Sequence, residues 1–510
     1  MEKIVVIGGG IGGLAFANLA AKRGHSVTVV EKNERLGGVA NWFEAPTDLG
    51  TFRFDMGPSW YLMPDVFQNY FDLLGEKVED HLDLVRLDPS YRVFFQGRER
   101  SIDFYSDIER DGPTFESLEA GSTEVLRDYL EKSKYQYEIA LRGFMYKNND
   151  TVLDFLNKQV ATEGRELEVF SKMSDYVAKH FKTDDVQKIM QYTLVFLGSS
   201  PYNTPALYNI MSHIDFNMGV FYPMGGIHQI PTTLVKIGEK LGVEYLTRTS
   251  VSSIATKRGP SVKGVVLDNG ETLEADIVVS NASIAHTETL LPVPYRDHSQ
   301  RYWDSRTLAP SALIMYLGLD EKIPSLTHHN LLFSTDWKKN FAEIFDAPQW
   351  PSEPSLYICA PSKTDPHVAP EGCENLFVLV PIAARTPYTR EELEQQADRM
   401  LDIIEREMNC EGLRDKIVYK KLFSVKDFAA RYNKQGGTAL GLAHTMSQTA
   451  ILRPNNRSKK VGNLFYVGGD TNPGIGMPIQ LISAELALKR IMGDRSSGHL
   501  ESVELAHSGA

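Results

Sequence analysis

Ile4-Val5-Val6-Ile7-Gly8-Gly9-Gly10-Ile11-Gly12-Gly13 is the stretch that decides the fold of this chain. Its first four residues form a continuous β-branched run, the composition of a strand buried on both faces of a parallel sheet. The glycines follow at once, and Leu14 to Lys22, with Ala15, Ala17, Ala20 and Ala21, reads as a closely packed helix. Gly8, Gly10 and Gly13 have the G-x-G-x-x-G spacing. In that pattern the first glycine makes the tight turn, the second lets the backbone approach a pyrophosphate, and the third lets helix lie close to strand. The helix N-terminus then faces the phosphates, with Ile11 and Gly12 in the turn as further cofactor-binding candidates. Beyond Gly24, Ser26 to Val30 reads as a second parallel strand ending at Glu31, placed to accept hydrogen bonds from an adenosine ribose. A carboxylate there favours a ribose without a 2′-phosphate. The motif predicts an α/β, Rossmann-like nucleotide domain and leaves NAD and FAD both open.

The bulk numbers bound the rest. A chain of 510 residues with 42% hydrophobic content has room for two or three compact units. With 54 basic against 66 acidic residues the net charge is −12, which gives no electrostatic reason to bind nucleic acid. Cys359, Cys373 and Cys410 are odd in number and far apart, so they fit buried, reduced thiols in the cytoplasm. Glu2 and Lys3 precede only four apolar residues, so no secretory signal is expected. No uncharged apolar run reaches the roughly 18 residues of a spanning helix. Membrane contact is therefore expected to be peripheral.

Directly after Glu31 comes Lys32-Asn33-Glu34-Arg35-Leu36-Gly37-Gly38, and later Phe54-Asp55-Met56-Gly57-Pro58-Ser59. Near the other end, Asn463 to Asp470 reads as a strand entering a Gly-rich turn, followed by Thr471 to Pro478 and a helix-like stretch from Ile479 to Ile491. Together these elements resemble the flavin-containing amine oxidase and phytoene desaturase superfamily. The resemblance narrows to the bacterial phytoene desaturases through His328-His329-Asn330, Phe341 to Phe345, Ala369 to Gly372, Gly441 to Thr445, Arg453 to Arg457 and Ile482 to Glu485. It implies non-covalently bound FAD. Backbone amides at Gly37 and Gly38, with Lys32 and Arg35, would continue the phosphate cradle; where relatives carry arginine this chain has Val39, which leaves Arg35 to serve alone. Gly57, Pro58 and Ser59 would lie close to the flavin, Val251 would pass the adenine, Gly469 and Asp470 would hold the ribityl or pyrophosphate region, and Met477 would start the helix facing the flavin ring.

Between the ends, Phe221 to Ile227 precedes a helix-like Ile230 to Leu241, strands at Val243 and Val251, a hairpin turning at Asn269-Gly270, and a strand from Asp276 to Asn281. The expected organisation is a Rossmann-like FAD domain assembled from discontinuous segments 1–75, 216–295 and 429–495. Residues 76–215 and 296–428 would form a mixed-sheet substrate domain with a helical, membrane-facing subdomain, and 496–510 a solvated, flexible tail.

The resemblance implies desaturation of a long isoprenoid hydrocarbon, C40 or C30, with oxygen or a membrane quinone as electron acceptor. Such chemistry asks the protein for an apolar tunnel against the flavin and not for a polar triad. Met190, Tyr192, Phe196, Tyr202, Tyr208, Met211, Phe216, Met218 and Phe221 are the tunnel candidates. Asp154, a carboxylate among apolar neighbours, is the candidate for the proton step. No metal is expected, because adjacent His328 and His329 would point different ways on a regular element and no other cluster has ligand spacing. A carotenoid isomerase, a flavin amine oxidase and a flavin-free prenyl-chain binder remain as alternative readings; the intact glycine turns argue against the last. Gly10→Glu puts a side chain and a negative charge where a pyrophosphate belongs, so the variant is expected to lose the flavin spectrum that denaturation releases from the parent protein.

Overall fold

The computed structural model describes residues 1–151, 171–257 and 259–502. The N-terminal strand Lys3–Ile7 sits in the middle of a five-stranded sheet ordered Leu464–Tyr466, Ile277–Ser280, Lys3–Ile7, Ser26–Val30, Glu244–Leu246. Every pairing in it is parallel. The sheet thus draws strands from three separated pieces of chain. Helix Ile11–Lys22 covers it, packed against helices Gln229–Lys240 and Met477–Met492. The small Ala15, Ala17 and Ala20 are fully buried there, which lets the three helices approach closely. The helix begins at Ile11 and not Leu14, so Gly12 and Gly13 are helical. Gly13 has no alternative: a Cβ on it would stand 2.2 Å from the Gly8 carbonyl oxygen.

A three-stranded antiparallel sheet, Val251–Thr256, Val262–Leu267 and Thr272–Glu274, flanks this unit and contains the predicted hairpin. A second large sheet has seven strands in the order Ile417–Phe423, Ser311–Leu319, Glu374–Ile382, Leu356–Cys359, His329–Phe333, Tyr91–Phe95, Ser101–Phe104. It is antiparallel except where His329–Phe333 runs parallel to Tyr91–Phe95, which makes it the expected mixed sheet. Helix Ile108–Leu118 packs on its edge strand Ser101–Phe104, and helix Ser122–Ala140 packs on that helix. Among the described residues no helix is long and apolar enough to cross a membrane.

Strand Ser311–Leu319 is buried along its whole length because each of its faces closes a different core. Leu313, Met315, Leu317 and Leu319 pack under the amphipathic helix Arg390–Glu407, whereas Ala312, Ile314 and Tyr316 belong to the main core. The two-residue period of a strand divides its side chains in this way.

The chain end departs from the expected tail. Among residues 496–502, Leu500 is buried, its N–H donates to Glu485, the Ser496 carbonyl accepts from Lys489 (3.2 Å) and the Glu501 carbonyl from Arg23 (3.1 Å). An apolar residue with three polar anchors outweighs the solvating serines and glycine around it. Leu317→Ala would leave a cavity in the outer core and is expected to cost about 2–5 kcal/mol. Thermal melting of the holoprotein should show the corresponding fall, with flavin retained up to the transition.

Candidate functional site

Glycine-rich turns from four parts of the chain line one cavity of about 900 Å³. The first is the predicted N-terminal turn: Gly8, Gly10, Ile11 and Gly12 border the cavity, and Gly13 packs behind them. Gly10 is the N-cap of helix Ile11–Lys22, which has no side-chain cap. The Asn281 side chain fills the space beneath: a Cβ on Gly10 would meet its Nδ2 at 2.6 Å. Glu31 is buried at the end of the second strand. Its Oε2 accepts from the Gly9 N–H (2.8 Å), and its Oε1 from the Asn33 N–H and side-chain amide (each 2.8 Å). The carboxylate is held rigidly at the cavity edge.

The Gly37-Gly38 turn closes onto the first, with the Gly37 N–H donating to the Gly9 carbonyl (2.7 Å), and both glycines line the cavity. Lys32 lines it too, its ammonium donating to the Ala430 carbonyl (2.7 Å) and Asn433 Oδ1 (2.9 Å). Arg35 does not join them: it is exposed, and its guanidinium lies over the Trp42 ring at 4.3 Å and donates to the Trp42 carbonyl. Gly57, Pro58 and Ser59 form the third wall. Asp55 steadies that turn by accepting from the N–H groups of Ile227 (2.7 Å) and His228 (3.2 Å). Val251 borders the cavity at the start of its strand.

At the fourth wall stand Gly469 and Met477. Met477 opens helix Met477–Met492, which likewise has no side-chain cap. Asp470 is turned otherwise than predicted: it is not among the lining residues, and its Oδ2 accepts from the Ile284 N–H (3.2 Å), at the start of helix Ile284–Thr289. This wall is organised by Arg453, which the sequence marks only within the run Arg453 to Arg457. Arg453 is buried and donates to the carbonyls of Leu442 (2.9 Å), Thr471 (3.1 Å), Gln448 (3.4 Å) and Gly469. Asn281 was also missed; no local pattern marks either residue, since each acts on turns distant in sequence.

The cavity continues past Ser59 into an apolar corridor. Trp60 stands at the passage, stacked on His329 (centroids 4.2 Å apart, 7° between planes) and 5.1 Å from Phe196. Of the predicted tunnel residues, Tyr192, Phe196, Tyr208 and Met211 line the cavity. Met190, Tyr202, Phe216, Met218 and Phe221 do not; Met190 and Phe216 are ordinary core. Further lining residues come from the other half of the chain, with Phe333 6.0 Å from Tyr192. Helix Trp337–Phe345 turns Trp337, Phe341 and Phe345, four residues apart and so on one face, toward the cavity below Phe333. Asp154 lies outside the described residues.

The two histidines correct the expectation that they diverge. Their ring centroids are 4.5 Å apart, because His328 precedes the strand that begins at His329 and escapes its alternation. Cys359 lies opposite His329 in the neighbouring strand, and the three residues offer ligand atoms within 4.8 Å of one another. Each Nδ1 is bonded to a hydroxyl, His328 to Thr364 (2.8 Å) and His329 to Tyr357 (2.7 Å). Burial keeps both rings neutral, His328 at about 3. Tyr357 also shares a hydrogen bond with Ser59 Oγ (2.7 Å), so this cluster buttresses the passage.

Two uncapped helix N-termini and a fixed carboxylate around one elongated cavity suit a ligand with a negatively charged middle, a ribose at one end and an electron-accepting ring at the other. Removing the Arg453 guanidinium strands buried carbonyls in the turn that carries Gly469. Arg453→Met is expected to weaken FAD by about 1–3 kcal/mol, or roughly tenfold to a hundredfold in Kd by flavin titration of the apoprotein.

Residues 11–492 match the family described as flavin containing amine oxidoreductase. A carotenoid 3,4-desaturase of Haloarcula japonica is 46% identical over 495 residues, covering 97% of this chain and 98% of the relative. A zeta-carotene-forming phytoene desaturase of Myxococcus xanthus is 33% identical, covering 99% and 96%. Among solved structures, an oxidoreductase from Methanosarcina mazei shares the fold at 17% identity, with a TM-score of 0.62 over 96% of this chain and all of that one. On the cradle's geometry and these matches, the chain belongs to the flavin containing amine oxidoreductase family, among its carotenoid desaturases, and is an FAD-dependent oxidoreductase.

Proposed function

We propose that this protein desaturates a long carotenoid-type polyene, removing hydrogens from two adjacent carbons. The observation that carries the reading is the continuity of the nucleotide cradle with an aromatic corridor through the passage at Trp60. FAD supplies the two-electron oxidation when bound. The pyrophosphate is assigned to Gly8, Gly10, Ile11, Gly12 and Gly13, with Gly37 and Gly38 closing over it. Glu31 takes the ribose, Val251 the adenine side, and Gly57, Pro58, Ser59, Gly469 and Met477 the flavin end. Lys32 adds positive charge near the phosphates. Asp470 supports the flavin end indirectly, through helix Ile284–Thr289. The 46% identity to a carotenoid 3,4-desaturase, against 33% to a phytoene desaturase, favours a substrate that is already conjugated.

The protein's part is to hold the hydrocarbon flat and keep water out. The aromatic lining, with Trp60, Phe196, Phe333 and Trp337, supplies the apolar surface for this. A hydrocarbon of this length has almost no aqueous solubility, since each buried methylene is worth about 0.8 kcal/mol. The substrate therefore reaches the corridor from a bilayer, and the chain works in the cytoplasm as a peripheral membrane protein. The entrance is assigned to the non-cofactor regions, about 110–215 and 300–425, with the domain divisions expected from sequence. Oxygen or a membrane quinone then reoxidises the flavin. With a net charge of −12 the attachment rests on apolar insertion more than on counterion attraction.

Liposomes carrying phytoene or lycopene test location and substrate together. The holoprotein is expected to float with them even in high salt, and the polyene absorption to move to longer wavelength as conjugation lengthens. Protein that stays in the aqueous fraction while oxidising a soluble amine would overturn the assignment.

A further inference from the structure

His444 stands where the cradle becomes the corridor. It is buried and borders the cavity. Its main-chain N–H donates to Ser199 Oγ (2.7 Å), and its Nδ1 lies 3.0 Å from the Leu197 carbonyl oxygen. A carbonyl can only accept. With the ring hydrogen on Nδ1 this contact is a hydrogen bond, and Nε2 of the neutral imidazole keeps its lone pair. That nitrogen is pressed against the C-terminal glycine turn: a Cβ on Gly474, where φ is +132°, would stand 2.1 Å from it. The turn from Pro473 to Gly476 leads directly into helix Met477–Met492, the wall assigned to the flavin ring. Tyr208, on the corridor side, meets the imidazole edge-on at 5.4 Å. In that tautomer the Nε2 lone pair lies between the Gly474 turn and the cavity wall that holds Tyr208.

The surroundings set the charge of the ring. Burial, then the Arg453 cation, hold it at about 3, opposed by the carbonyls of Leu197 and Pro473. The imidazole is consequently neutral at any working pH. A proton arriving on it would still be met by carbonyl oxygens beside the ring.

We propose that His444 accepts, at Nε2, the proton released in desaturation, an assignment that rests on the reading of the chain as a polyene desaturase. One C–H bond gives up its hydrogen with both bonding electrons to oxidised FAD, which is thereby reduced. The neighbouring carbon loses H⁺ to Nε2, and the electron pair of that C–H bond becomes the new C=C. Nothing else is consumed. A weak base is sufficient, because a C–H beside an electron-deficient allylic carbon is far more acidic than imidazolium. No carboxylate need enter the corridor.

His444→Gln and His444→Ala, each reconstituted with FAD, test this by anaerobic mixing with lycopene in liposomes. With each variant saturated with FAD, flavin reduction is expected to slow by about 10²- to 10⁴-fold, and imidazole should restore part of the rate in His444→Ala. Nitrogen NMR of the ¹⁵N-histidine-labelled wild-type holoprotein gives a readout that needs no turnover and no variant. Its spectrum should contain a neutral ring with hydrogen on Nδ1 that is absent from His444→Gln. Wild-type reduction rates in His444→Gln, slow variants without imidazole rescue, or a wild-type ring carrying its hydrogen on Nε2 would each overturn the assignment. A wild-type enzyme whose flavin stays oxidised with phytoene and lycopene alike would instead overturn the desaturase reading, and this proposal with it.

Discussion

Helices Ile11–Lys22 and Met477–Met492 start at the edge of the same cavity, and neither start is capped by a side chain. First-turn amides that no side chain satisfies are costly unless a ligand or solvent meets them. This requirement orders the rest of the molecule. The parallel sheet must bring its first strand and its last, Leu464–Tyr466, close enough for the two turns to face each other, with only Ile277–Ser280 between them. Asn281 sits at the end of that intervening strand and packs against both turns, as the crowding of Gly10, Gly12 and Gly468 by its side chain records. Arg453 fastens the C-terminal turn from behind by binding four carbonyls. The two uncapped helix starts are thereby held in a single frame.

The corridor obeys a different physics. Its walls are rings drawn from residues near 60, 192–211 and 331–345, with few polar atoms that could fix an orientation. Recognition of a hydrocarbon depends on shape and on the exclusion of water. At the passage one chain of polar atoms is paired, from Ser59 through Tyr357 to Nδ1 of His329, while Nε1 of Trp60 and Nε2 of His329 are buried without a hydrogen-bond partner. The result is stiff walls around a path that offers the substrate little but surface.

Sequence made the cradle legible because its signals are local. A strand, spaced glycines, a helix and a terminal carboxylate lie within the first thirty-one residues, and the same grammar recurs at Gly468 to Met477. The hairpin around Asn269-Gly270 was readable for the same reason. Orientation was not. Arg35 has the right spacing for a phosphate contact, yet Trp42 offers its guanidinium a ring face seven residues on. Asp470 follows the right glycine and bonds instead to Ile284, a residue 186 positions away. Tyr192 and Phe196 reach the corridor whereas Phe216 and Met190 fill core, a division that composition cannot make because both environments are apolar. The meeting of His328, His329 and Cys359 depends on where a strand begins and on which residue lies opposite in the next one.

All three cysteines are buried. Burial pushes the Cys359 thiol up to about 12 and the Cys410 thiol up to about 11, and raises Cys373 as well. Peroxide attacks thiolates and spares thiols. Wherever reduced flavin is reoxidised by oxygen, peroxide forms within reach of the protein, and Cys359 lies two residues from the corridor residue Tyr357. Keeping that sulfur protonated lets it serve as packing and withholds the thiolate that peroxide attacks.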